Sequence, residues 1–187
     1  MKLAIAISGL HGTGKTTYAQ YLARKYKLRH ISAGELFRQM AKERELSLTE
    51  LGLAAEQNKE IDQLLDERVK KALRAGDVVV DGLLAGWMAV GTPSLKIYLS
   101  AINEVRIRRI ASRDGLSQSE ATKATISREL IEKRRFKKLY NIDITELSIY
   151  DLVLNTCLMP IERNIEVIKS FINGYINYRK EKKNVCL

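Results

Sequence analysis

Residues 9–16 read Gly9-Leu10-His11-Gly12-Thr13-Gly14-Lys15-Thr16, a GxxxxGKT string without a mismatch. The residues before it, Leu3 to Ser8, form a short apolar run with β-branched content, which reads as a buried strand entering a turn. After it, Tyr18, Leu22 and Tyr26 recur every four residues beside Ala19 and Ala23, so Lys15 to Tyr26 reads as a helix with one buried face. Strand, glycine loop, helix is the context in which this string cradles phosphate. The glycines let the backbone curl so that several N–H groups point into one anion-sized hollow, and the helix beginning near Gly14 adds its positive dipole end. Lys15 supplies a full charge to the outer phosphates, and the Thr16 hydroxyl can ligate a bridging Mg2+ ion. Gly9, Leu10, His11, Gly12, Thr13, Gly14, Lys15, Thr16 and Thr17 are therefore candidate ATP-binding residues. Within the loop, His11 reads first as a spacer whose backbone matters more than its ring, with a ring contact to phosphate as the alternative.

Outward from the loop, a short strand is expected around Arg29 to Ser32, then a polar, mainly helical stretch from Gly34 to Ala75 with Ser47 as an N-cap. Val78, Val79 and Val80 lie between Gly76 and Gly82, a pattern that marks a strand buried on both faces at Asp77 to Asp81. Asp81 ends that run where the partner of a phosphate loop holds water on magnesium, although an aspartate before glycine also suits a plain turn. A strand at Leu95 to Leu99 and a basic helix at Ile102 to Arg113 follow. Asp114 to Leu139 is strongly charged with a weak apolar stripe, which predicts poor packing and mobility. Leu152 to Leu154 supplies a last strand, and Pro160 opens a helix with Ile161, Ile165, Ile168, Ile172 and Tyr175 on one face. The lysine-rich end past Arg179 is expected to fray.

Alternating strands and helices imply an α/β, P-loop NTPase-type fold: a parallel sheet of about five strands, helices on both faces and ligands at the carboxyl ends of the strands. With 187 residues, 45% of them hydrophobic, one domain over 1–187 is expected. The run Leu3 to Ile7 is too short for a secretory signal, and no segment is long enough to span a bilayer. Cys157 and Cys186 have neither metal-ligand spacing nor a disulfide pattern, which fits a reducing cytoplasm. The net charge of +10 favours a polyanionic partner but does not choose among nucleotide, nucleic acid and membrane surface.

Several further pieces are distinctive: ISAGELFR from Ile31, the EID and LDER segments around Asp62 and Asp66, LAGWM from Leu84, Arg128 to Phe136, LYNIDI from Leu139 and YDLVLNT from Tyr150. With the loop they give a chain that resembles the nucleoside monophosphate kinases, and most closely the archaeal-type cytidylate kinases, over nearly its whole length. The resemblance implies a core for ATP with Mg2+, a helical acceptor-binding insertion at about 33–75 and a charged lid at about 113–139. It implies transfer of a phosphoryl group to a nucleoside monophosphate, CMP or dCMP first, with AMP, UMP or another small acceptor as alternatives. Ser32, Gly34 and Arg38 match the acceptor-binding segment, and Arg38 offers a fork of donors to a phosphate. Asp62 and Asp66 share a helical face, where acidic groups of such enzymes read a base amino group; capping or salt-bridging the insertion is the alternative. Arg128, Glu132 and Arg135 share one face, making Arg128 and Arg135 candidate catalytic residues with Arg109 and Arg113 behind them, unless they form a solubilising charged face. Asn155 and Thr156 match the place where such kinases line an adenine pocket.

The chain departs from the pattern at Asp81-Gly82-Leu83-Leu84, since such kinases carry an arginine after the acidic-Gly pair and leucine cannot donate to a phosphate. Either Arg68 or Arg38 then carries the acceptor alone, or acceptor choice and efficiency differ from those of the group. A rival reading is a basic ATPase or regulator touching nucleic acid through Arg106, Arg108, Arg109 and Lys133 to Lys138. No RNA-stacking motif accompanies that surface, and aromatics make up 6% of the chain. The expected partners are thus ATP and a nucleoside monophosphate, with no nucleic acid, no membrane and a monomeric chain.

Overall fold

The β1 strand, Ala4–Ser8, is buried throughout, and its two faces differ in size. Ile5 and Ile7 point to one side of the sheet, Ala4 and Ala6 to the other. The bulky side is covered by α1 (Lys15–Tyr26) through Tyr18, Ala19, Leu22 and Ala23, and by α8 (Ile161–Val185) through Ile165, Ile168 and Ile172. The alanine side lets helices approach closely, and there Val69, Ala72 and Leu73 of α4 (Glu60–Ala75) pack with Ala85 and Met88 of α5 (Ala85–Met88). These coordinates are a computed structural model, and they describe residues 2–185; Cys186 lies outside the described residues.

Strands β2 (Arg29–Ser32), β3 (Val78–Asp81), β4 (Leu95–Ser100) and β5 (Leu152–Asn155) complete a five-stranded sheet in the order β2-β3-β1-β4-β5. Every pairing is parallel, as expected from the alternating elements. The register sets Ile7 beside Asp81 and Ser32 beside Asp81, so the carboxyl ends of β1, β2 and β3 meet at one edge. That edge is where the phosphate loop begins.

The insertion comprises α2 (Ala33–Glu43), α3 (Leu48–Gln57) and α4, with its own apolar cluster of Phe37, Ala41, Leu51, Ala55 and Ile61. Ser47 caps α3 in a reciprocal arrangement with Glu50, the N-cap read from sequence. Helices α6 (Asn103–Asp114) and α7 (Gln118–Tyr140) form the charged segment. One expectation is corrected here. Helix α7 is packed rather than loose: Ile131, Glu132, Arg135 and Phe136 are buried, the last within the main core. Helix α8 runs through Val185.

Candidate active site

The loop between β1 and α1 takes its shape from glycines in the left-handed region. Gly12 has φ 78° and Gly14, the N-cap of α1, has φ 91°. A Cβ on Gly12 would stand 2.5 Å from the Arg106 carbonyl oxygen, so the loop lies directly against the start of α6. Lys15 Nζ donates to the carbonyls of Gly9 at 2.7 Å and Leu10 at 2.9 Å, which holds the ammonium over the loop. Burial lowers its pKa from 10.5 to about 8, against the opposing pull of Asp81 and Glu132. Thr13 is buried and donates to the Leu10 carbonyl at 2.9 Å, while Thr17 lines the cleft beyond Thr16.

Asp81 gathers three donors. Its Oδ2 accepts from Thr16 Oγ1 at 3.0 Å and from Ser32 Oγ at 3.1 Å, and its Oδ1 lies 2.6 Å from His30 Nε2. Ser32 also caps α2, accepting from the Glu35 amide at 3.3 Å. The register of β2 against β3 brings His30 and Ser32 to Asp81, and the first turn of α1 brings Thr16.

One cleft of about 980 Å³ is lined by His11 and Lys15 of the loop and by Asp62 and Asp66 of the insertion. Gly34, Arg38, Leu83, Arg109, Arg113 and Arg128 line it as well. Burial lowers the Arg38 pKa below its usual value, and the positive charges of Arg113 and Arg128 lower it further. Arg38 has no ion-pair partner among the described residues, whereas Arg113 pairs with Asp114 at 2.7 Å and Arg128 with Glu132 at 3.0 Å. Such a gathering of like charge is a receptor for anions.

Arg135 stands differently. Its Nε is 3.0 Å from Asp62 Oδ2, though off the N–H direction, and its Nη1 donates to the Gly52 carbonyl at 3.0 Å. The guanidinium lies over Phe37 and Phe136, with centroid distances of 5.5 and 4.9 Å. It thus ties α7 to the insertion from a buried position. Burial raises the Asp62 pKa to about 6, with Arg135 opposing and Asp66 adding to the rise. The Asp66 carboxyl is also raised by burial.

Two expected residues lie away from the cleft. Arg68 is on the exposed face of α4, and Asn155 is exposed with its Oδ1 accepting from the Cys157 amide at 2.9 Å. Thr156 to Ile161 line the cleft in place of Asn155. Arg109 reaches them, with Nη1 3.2 Å from Thr156 Oγ1 and 3.3 Å from the Gly12 carbonyl. Sequence reasoning passed over His30, read the His11 ring only as a spacer or a phosphate contact, and placed Arg106 only in a basic surface. The His11 ring lies 2.6 Å from Glu132 Oε2, and Arg106 Nη1 donates to the His11 carbonyl at 3.0 Å. These contacts join residues 51 to 121 positions apart, which no local pattern reports.

Among solved structures, a shikimate kinase from Bacteroides thetaiotaomicron superposes with a TM-score of 0.59 at 16% identity, over 92% of this chain and 99% of that one. A shikimate kinase from Aquifex aeolicus gives 0.53 at 16%, over 93% and 98%. At these identities the likeness concerns the fold. Relatives in sequence are nearer. A cytidylate kinase of Methanocaldococcus jannaschii is 44% identical over 92% of this chain and 98% of its own. That of Pyrococcus horikoshii is 43% identical over 97% of both. The family model described as the cytidylate kinase-like family matches residues 4–157, so this chain belongs to the cytidylate kinase-like family.

Proposed function

We propose that this chain transfers the terminal phosphoryl group of ATP to a nucleoside monophosphate, CMP or dCMP foremost, giving the diphosphate and ADP. The observation that carries this reading is the convergence of Arg38, Arg113 and Arg128 on the cleft that Lys15 also lines. An acceptor that is itself a phosphate brings a negative partner for Arg38, which has none among the described residues, and it needs no general base because it is already an anion. Membership of a family whose relatives carry the name cytidylate kinase supports the choice of acceptor.

In this reading Gly9 to Thr17 hold the ATP phosphates, and Thr156 to Ile161 hold the adenine in place of Asn155. Ser32, Gly34 and Arg38 seat the acceptor phosphate, and Arg38 does so without Arg68. Lys15 and Arg128 stabilise charge on the transferring group, with Arg109 and Arg113 behind them. Arg135, which also lines the cleft, adds its charge from its buried bracket. Asp62 and Asp66 offer carboxylate oxygens to an exocyclic amino group, which favours cytosine over uracil. The Thr16 hydroxyl and Asp81 carboxylate form a hard-oxygen donor set beside the loop, which fits Mg2+; the ion, when bound, supplies charge neutralisation on the outer phosphates. Closure over two anionic, water-soluble substrates suits a cytoplasmic enzyme. Among the described residues, no helix is long and apolar enough to cross a membrane.

The test is a chromatographic assay with Mg-ATP against CMP, dCMP, UMP, AMP and shikimate, with Lys15→Ala and Arg128→Ala as controls. Lys15-dependent formation of CDP is the expected result. Preferential conversion of UMP or AMP would overturn the acceptor, and ATP binding without any phosphorylated product would overturn the reaction.

A further inference from the structure

We infer that Glu132 is a positioning residue that sets the Arg128 guanidinium for phosphoryl transfer, and that the His11 ring, reaching out of the phosphate loop, fixes Glu132 in turn. The inference rests on the transfer reaction proposed above. Glu132 divides its two oxygens: Oε1 lies 3.0 Å from Arg128 Nε, and Oε2 lies 2.6 Å from His11 Nε2. Binding through Nε leaves both terminal nitrogens of Arg128 free to face the cleft, whereas pairing through them would consume the fork that recognises phosphate.

The carboxylate is built into the protein for this purpose. Glu132 is only 5% exposed, so its charge is shielded from water. Burial by itself would raise its pKa, yet His11, Arg128 and Arg135 hold it down to about 2. An ionised carboxylate only accepts, which makes His11 Nε2 the donor. Burial pushes the His11 pKa below its usual value against the pull of Glu132, and Nε2 donates its N–H to the carboxylate whether or not the ring is protonated. His11 is held on its other side as well, because Arg106 Nη1 donates to its carbonyl and pairs with Glu129 at 2.5 Å. Glu129 and Glu132, three residues apart on α7, thus grip the phosphate loop by one residue's ring and backbone. The loop that takes ATP and the arginine that meets the transferring group are set as one unit. A spacer at position 11 could not do this, since the link runs through the ring.

The experiment uses the full-length protein in a double-mutant cycle and a side-chain NMR measurement. Glu132→Gln should lower kcat about tenfold or more while KM for ATP moves less than about threefold, because the contact serves the transition state. In an Arg128→Ala background the same change should cost less than about twofold, since the group it positions is gone. His11→Gln keeps a donor at the depth of Nε2 and should retain most activity; His11→Ala should lose about three- to tenfold. In 15N spectra, the Arg128 Nε–H resonance should be resolved and protected in the wild type and broadened or shifted in Glu132→Gln. A full kcat loss from Glu132→Gln in the Arg128→Ala background would overturn the inference. So would an Arg128 Nε–H signal unchanged by Glu132→Gln. The NMR arm does not depend on turnover, so absence of kinase activity would sink the proposed reaction while leaving the positioning contact to be judged by that signal.

Discussion

Replacing Lys15 by methionine should nearly abolish phosphoryl transfer yet leave the ligand-free protein about as stable as the wild type. Lys15 is charged in a site that strips it of water, and burial lowers its pKa from 10.5 to about 8. A shift of that size corresponds to about 3 kcal/mol of disfavoured protonation. Because the residue is partly exposed, screening reduces this to roughly 2 kcal/mol. Methionine removes that penalty and keeps the stem. It also removes the two hydrogen bonds to Gly9 and Leu10, worth about 1 kcal/mol each. The opposing effects leave a net change near zero, within about 1 kcal/mol. The pH dependence separates them. A depressed lysine pKa penalises the folded state fully below pH 8, and the penalty fades as pH rises toward 10.5. Wild type should therefore gain stability relative to Lys15→Met across that interval. Urea melts at pH 7 and at pH 10, with and without Mg-ATP, measure both effects, and the wild type alone should be stabilised by nucleotide. A Lys15→Met protein less stable than wild type by more than about 2 kcal/mol at pH 7, or a difference constant with pH, would refute the reasoning.

Arg38→Ala removes charge-assisted bonds to the acceptor phosphate and should raise KM for CMP about 10- to 100-fold with KM for ATP nearly unchanged; steady-state kinetics with each substrate varied would expose an equal rise in both. Gly12→Ala forces a side chain into φ 78° and against the Arg106 carbonyl, so a loss of roughly 1–3 kcal/mol in thermal melts is expected, together with weakened ATP binding. Asp62 has a folded pKa raised from 3.8 to about 6, so wild type loses stability as pH climbs through that window, a step Asp62→Asn lacks. Parallel stability curves for the two proteins between pH 4 and 6 would contradict this. The same variant should narrow the preference for CMP over UMP in competition assays.

The sheet was legible because its strands carry their signal locally. Val78 to Val80 and Leu3 to Ser8 are short apolar runs stopped by glycine or aspartate, and nothing in their surroundings overrides that pattern. The phosphate loop was legible for the same reason, its eight residues being contiguous. Helix α7 was misjudged because its buried face contains Glu132, Arg135 and Thr125, so an apolar count undervalues it. Glu132 and Arg135 are inside because they are paired, and pairing across the fold is invisible to a count of hydrophobic positions. His30 shows the same limit. It stands in a strand with ordinary spacing, and only the register of β2 against β3 brings its ring to Asp81.

The covering of β1 by α8 has a consequence for how the chain is made. Ile5 and Ile7 are synthesised about 160 residues before Ile165, Ile168 and Ile172, which close one side of that strand. A sheet with only parallel pairings also has no hairpin to lock early. The nascent chain therefore carries an open apolar face until that later stretch has been made, and it is then that holdase chaperones have the most to protect.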